Sequence, residues 1–178
     1  MKKPLVTIKL RVFTRDMIAF YSANPAYGTK EEPYPADFFC QLISSTAMFY
    51  GPLKNILLFQ NDTIYRWVIE SDKGEPLKFR ITSDTPEMDM EMITDKPSNE
   101  KWKKVFKNAP QMEKSGIIKV KSKDINSNSF ELETSSNVKD GGKMKYSFNF
   151  EFENDKGELK YGQIDPHGDT YPPPFGEP

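Results

Sequence analysis

Residues 144–164 constrain this chain more than any other stretch. Met144, Tyr146, Phe148, Phe150 and Phe152 alternate with Lys145, Ser147, Asn149 and Glu151. That is the period-two pattern of a strand with one buried face. Asn154-Asp155-Lys156-Gly157 follows, and then a second strand over 159–164. Asp-Lys suits right-handed α geometry and Gly suits a positive φ, so the turn is a three-residue hairpin loop closed by a glycine bulge. So apolar a face predicts a place near the centre of a sheet. A second hairpin follows the same logic, with 64–70 and 77–81 flanking Ser71-Asp72-Lys73-Gly74.

The rest of the chain agrees with a β-rich fold. Val6, Ile8, Leu10 and Val12 alternate with Thr7, Lys9 and Arg11, which predicts a strand over 5–13. Further strands are expected at 38–43 (buried), 56–59, 117–125 and 130–134, while 44–55 is ambiguous. A short helix is expected at 17–22, capped by Asp16 and ended before Pro25. A second is expected at 98–108, where Trp102, Val105, Phe106 and Ala109 recur at helical spacing. About eight or nine short strands with one or two helices, and no βαβ rhythm, argue a mainly β protein. The expected architecture is an antiparallel two-sheet β-sandwich, immunoglobulin-like or jelly-roll-like. Residues 1–166 are read as one sandwich domain. Residues 167–178, rich in Pro and Gly, are read as a tail without regular structure.

Composition excludes several classes. The net charge is −1, so nothing global draws the chain to nucleic acid or an anionic membrane. There is one cysteine, Cys40, which favours a reducing compartment. Lys9 and Arg11 interrupt any signal-peptide core, and the apolar run 56–59 is far too short to span a bilayer. A cytoplasmic protein is expected.

The catalytic inventory is thin. One histidine, His167, sits between Pro166 and Gly168, without the rigid support that a catalytic base needs. No phosphate loop, nucleophile elbow or paired-histidine zinc motif is present. The chain is expected not to be an enzyme and to need no cofactor. Asp165, His167 and Asp169 fall on one side of an extended chain and could ligate a divalent metal; the plainer reading is a turn after the last strand. Met88, Met90 and Met92 could ligate Cu(I), or pack a strand on the core. Asp84, Glu87, Asp89, Glu91 and Asp95 precede a lysine-rich stretch over 96–123. That lysine face could dock an acidic partner or the acidic stretch of another copy, or simply be a solvated face and a guarded strand edge. Asn61-Asp62-Thr63 matches the glycosylation triplet and also reads as a turn. Tyr21, Tyr27, Tyr34, Tyr50 and Tyr171 lie in or beside loops and could form a carbohydrate-stacking platform, or ordinary packing.

Four segments carry a family likeness. They are TRDMIAFYSANP after the first strand, DFFCQLIS at 37–44, QNDTIYRW at 60–67 and YSFNFEFENDKGELKYGQIDP at 146–166. Together they resemble the AidA/PixA inclusion-body protein family of bacteria. The likeness touches both ends and part of the middle and leaves 84–128 unmatched. It implies a β-sandwich without known catalytic residues, in a family whose members accumulate in methionine-rich intracellular inclusions or are regulated with host association. With a near-zero net charge, complementary acidic and basic stretches and many aromatics, a homo-oligomer or self-assembling protein is expected, with assembly weakened by salt. The alternative is a lectin-like module binding carbohydrate or another small ligand.

Overall fold

A computed structural model gives the fold. It describes residues 2–46, 48–50, 56–79, 81–82, 85–92, 96–121, 128–138, 143–164 and 167–169. The strands are β1 (Leu5–Val12), β2 (Tyr34–Pro35), β3 (Cys40–Ile43), β4 (Met48–Tyr50), β5 (Ile56–Leu58), β6 (Ile64–Ser71), β7 (Lys78–Phe79), β8 (Ile81–Thr82), β9 (Thr85–Met92), β10 (Ile118–Lys121), β11 (Ser129–Glu133), β12 (Lys143–Glu153), β13 (Leu159–Ile164) and β14 (His167–Asp169). The helices are α1 (Thr14–Phe20) and α2 (Asn99–Val105), and single 3-10 turns lie at Tyr21–Ala23 and Asp37–Phe39.

Two sheets result. A four-stranded sheet runs β11-β6-β1-β3, and a larger one runs β10-β9-β12-β14-β5-β4, with β13, β7, β2 and β8 attached off that path. The expected antiparallel pairing is corrected here. β1 and β6 lie parallel over Leu5↔Ile64 to Val12↔Ser71, β13 is parallel to β2, and β14 to β5. Parallel neighbours need a long crossover. Between β1 and β6 the chain supplies one by building β4 and β5 of the other sheet.

β12 lies inside the larger sheet. Its apolar residues Met144, Tyr146, Phe148, Phe150 and Phe152 are all buried, as the alternation requires. The turn before β13 has the expected form: Gly157 has φ of +73° and donates to the Asn154 carbonyl, and Asn154 N–H donates to Glu158. The register Phe148↔Ile164 continues unchanged as Lys145↔His167 to Lys143↔Asp169. The expected end of regular structure at Asp-Pro is therefore corrected. Pairing resumes after Pro166, whose nitrogen has no proton to donate.

The other hairpin is half right. Its turn forms, with Gly74 at φ of +79° donating to Ser71 and Ser71 N–H donating to Glu75. The returning chain pairs with β6 at the Glu70↔Pro76 bridge and the Leu77 N–H to Ile69 carbonyl bond, and then β7 crosses to β12. The reason is occupancy. β6 is flanked by β1 along one side and by β11 over Ile64–Val68 on the other, so β7 finds no free edge there.

Two further expectations shift. α1 starts at Thr14 with no side-chain cap, and Asp16 lies in its first turn. Residues 37–39 form a 3-10 turn, and β3 is a half-buried edge strand rather than a buried one. α2 forms as the spacing predicts. Ser98 Oγ accepts from the Lys101 N–H, and Trp102, Val105 and Phe106 are buried.

The sheets meet face to face through rings. Trp67 of β6 lies 5.8 Å from Tyr146 and 6.4 Å from Phe148, and Phe130 of β11 lies 6.1 Å from Phe148. The arch before β6 is pinned by buried hydroxyls. Tyr65 Oη accepts from the Gln60 N–H, and Thr134 Oγ1 accepts from the Thr63 N–H and donates to the Gln60 carbonyl.

The outer face of the smaller sheet is ionic. Arg11 sits in register with Glu70 and donates to it at 2.8 and 3.1 Å, and Lys9 lies 3.3 Å from the same carboxylate. The Arg11 guanidinium holds the Glu70 carboxyl below the usual carboxylate range. Such a group adds stability above its unfolded-state pKa of about 4.3 and loses it as the pH falls through the lower folded value. The melting temperature of Glu70→Gln is therefore expected to lie below that of the parent at pH 7. The gap should close as the pH falls through the lowered folded-state value. A gap independent of pH would show that Glu70 acts through packing alone.

Candidate functional site

The loop that follows α1 gathers aromatic rings. The Tyr21 ring lies 4.8 Å from Tyr27, 5.6 Å from Tyr34 and 6.0 Å from Phe39. Phe20 joins at 5.0 Å from Tyr21 and 5.4 Å from Phe39. Backbone geometry makes the cluster possible. Gly28 has φ of +83° and lies under the Tyr34 ring, where a Cβ would come within 2.3 Å of it. Tyr34 itself sits on β2 in register with Gly162 of β13. Tyr21 Oη donates to the Pro35 carbonyl at 3.2 Å. Partial burial, with Tyr27 and Asp37 nearby, pushes the Tyr21 phenol up, so it stays neutral.

Three of the five sequence-predicted tyrosines thus come together. Tyr34 is buried, while Tyr21 and Tyr27 are partly exposed. Tyr50 is placed on β4, and Tyr171 lies outside the described residues. Sequence reasoning missed the phenylalanines. Phe20 is 69% exposed and Phe38 is 92% exposed. A 3-10 turn sends successive side chains about 120° apart, so Phe39 packs inward while Phe38 faces solvent. The available signal was charge: residues 38–53 carry no charged side chain, in a chain that is 29% charged.

The other candidates fare differently. Asp165 lies outside the described residues, and His167 and Asp169 are held in β14 between β12 and β5. Among the described residues, no group of three His, Cys, Asp or Glu side chains could hold a metal. Met90 and Met92 are buried in the core, as the packing reading requires. Asn61 Oδ1 accepts from the Val138 N–H, which makes this residue part of a loop staple. Parts of the acidic and basic stretches lie in register within the chain, while Asp84 and Asp95 lie outside the described residues. β9 places Asp89 opposite Lys119 and Glu87 opposite Lys121 of β10, and Glu91 opposite Lys145 of β12. A shallow groove of about 280 Å³ lies between the ends of the two hairpins, with Leu77, Phe152 and Leu159 beside Glu75, Lys78 and Glu151.

Cys40 is half-buried at the start of β3. Burial, with the Asp37 carboxylate nearby, pushes its thiol up to about 12. A protonated thiol is a poor nucleophile. Native protein is therefore expected to resist iodoacetamide at pH 8 and to react fully once unfolded. Rapid labelling of native protein would contradict this placement of Cys40.

Among the described residues, no helix is long and apolar enough to cross a membrane. No family model and no curated protein matches the chain. Solved structures do. One is the crystal structure of an inclusion body protein, PixA, from Burkholderia cenocepacia, with a TM-score of 0.50 and 9% identity over 96% of this chain and 97% of that one. At that identity the likeness is one of fold. The resemblance read from strand and turn residues thus returns as a shared architecture along nearly the whole chain.

Proposed function

We propose that this is a non-enzymatic bacterial protein that acts in the cytoplasm by self-association or accumulation. One observation carries the reading: Phe20 stands exposed at the rim of a ring cluster and Phe38 stands exposed next in sequence to its Phe39, and exposed apolar surface marks interaction sites. The fold likeness to an inclusion body protein is consistent with it. Part of the acidic stretch lies in register with lysines of the same chain, so the reading is placed on the rings and not on the charged stretches. Association through rings is then expected to persist in 0.5 M sodium chloride and to strengthen in sulfate. Sedimentation velocity from micromolar to millimolar protein tests this. Phe20→Ser with Phe38→Ser is expected to weaken association at least tenfold, about 1.4 kcal/mol. A parent protein that stays monomeric throughout would end this reading.

The gathering of Tyr21, Tyr27 and Tyr34 supports a second reading, a carbohydrate or small-ligand module. The rings tilt at 52° and 31° to one another, and Tyr21 and Tyr27 keep part of their surface exposed. A glycan panel should then give saturable binding that Tyr27→Ala abolishes. No binding across the panel would dismiss it.

A further inference from the structure

The uncharged segment supplies an edge to each sheet. β3 ends the four-stranded sheet, and β4 ends the main path of the larger one. Ile43 and Met48 are five steps apart along the chain, at most about 18 Å, so the end of β3 and the start of β4 lie near each other. Open edges present unpaired N–H and C=O groups and are normally guarded by charge, proline or a covering element. The β10 edge carries Lys119 and Lys121. The outer side of β11 is met by the Phe106↔Thr134 bridge and the Lys107 N–H to Glu133 carbonyl bond. β3, Cys40-Gln41-Leu42-Ile43, has no charge and no proline.

The register fixes which groups face out. Phe13 N–H donates to the Phe39 carbonyl at 2.8 Å, so that pair is of the hydrogen-bonded type. In an antiparallel ladder these pairs alternate, so Arg11↔Gln41 and Lys9↔Ile43 are hydrogen-bonded too. The backbone groups of Cys40 and Leu42 therefore point away from β1. Their side chains share the face of Val12 and Leu10, toward the core, and the exposed Gln41 side chain lies on the opposite face.

We propose that two copies pair edge to edge through β3, antiparallel about a two-fold axis, so that the four-stranded sheet continues into its mate. The proposal rests on the self-association reading and names the surface that carries it. A backbone edge selects a strand as its partner. A neutral strand can meet its own copy without like charges facing each other, the condition for an isologous contact. Phe38, just upstream, would flank the seam.

Gln41 supplies the test, since its exposed side chain can change without disturbing the core. In either antiparallel register the two Gln41 side chains fall near the axis. Gln41→Lys and Gln41→Glu are each expected to weaken association at least tenfold, and an equimolar mixture to recover the parent value. Hydrogen exchange of the amides over 40–43 should slow on assembly. Circular dichroism and melting of each variant check that the fold is kept. A parent protein that assembles while both variants match it, with exchange over 40–43 unchanged, overturns the β3 seam and leaves self-association standing. A monomeric parent removes both.

Discussion

Everything in the larger sheet hangs on the two backbone edges of β12. One edge serves β9 over Met144–Phe148 and then β7 at Phe150 and Glu151. The other serves β14 over Lys143–Lys145 and β13 over Phe148–Glu153. Four partners share one strand of eleven residues, so a slip of one residue would misplace all of them and turn its apolar row to water. Phe148 fixes the register from inside, with Phe79 at 5.0 Å, Tyr146 at 5.4 Å, Phe130 at 6.1 Å and Trp67 at 6.4 Å. Such ring pairs add about 0.5–1.5 kcal/mol each beyond the area they bury. The packing tolerates a polar flaw. Trp67 Nε1 and Tyr146 Oη are buried with no well-formed hydrogen bond, and burial pushes the Tyr146 phenol up so that it never ionises near neutrality. Each unmet group costs about 1–3 kcal/mol, which full burial of the two rings offsets.

What was legible in the sequence was local. The alternation of β12, the Asn-Asp-Lys-Gly and Ser-Asp-Lys-Gly turns and the spacing of Trp102, Val105 and Phe106 each encode their own geometry, and each formed. What was not legible was pairing between distant segments. Nothing in 5–12 says that its neighbour is a parallel strand at 64–71, because parallel and antiparallel partners show the same apolar alternation on a one-sided sheet. The fate of β7 could not be read for a related reason: it depends on β11, fifty residues downstream, already holding the edge. The resumption of pairing at β14 was hidden by prolines on both sides of it.

The candidate surface was half legible by the same rule. Loop tyrosines could be named as binding candidates, but their convergence depends on Gly28 lying beneath Tyr34 and on β2 docking against β13. Phe20 and Phe38 were assigned to a helix and a buried strand, where large apolar side chains excite no notice. They became informative once α1 and the 3-10 turn were seen to leave them in water.

Charge then decides what range of force can act between copies. Arg11 and Lys9 are spent on Glu70, Arg66 on Glu131, and Lys107 on Asp62 and Glu133. The lysines of β10 lie in register with the acids of β9. With a net charge of −1, little long-range field remains either to draw copies together or to hold them apart. Proteins commonly resist edge-to-edge contact by putting charge on the strands at risk. Here the longest run without a charged side chain is 38–53, which holds the exposed Phe38 and, among the described residues, an uncharged β3 edge. Under the proposed association, contacts of a few ångströms along that edge would set its strength, with Arg11, in register with Gln41, as the charge facing that position.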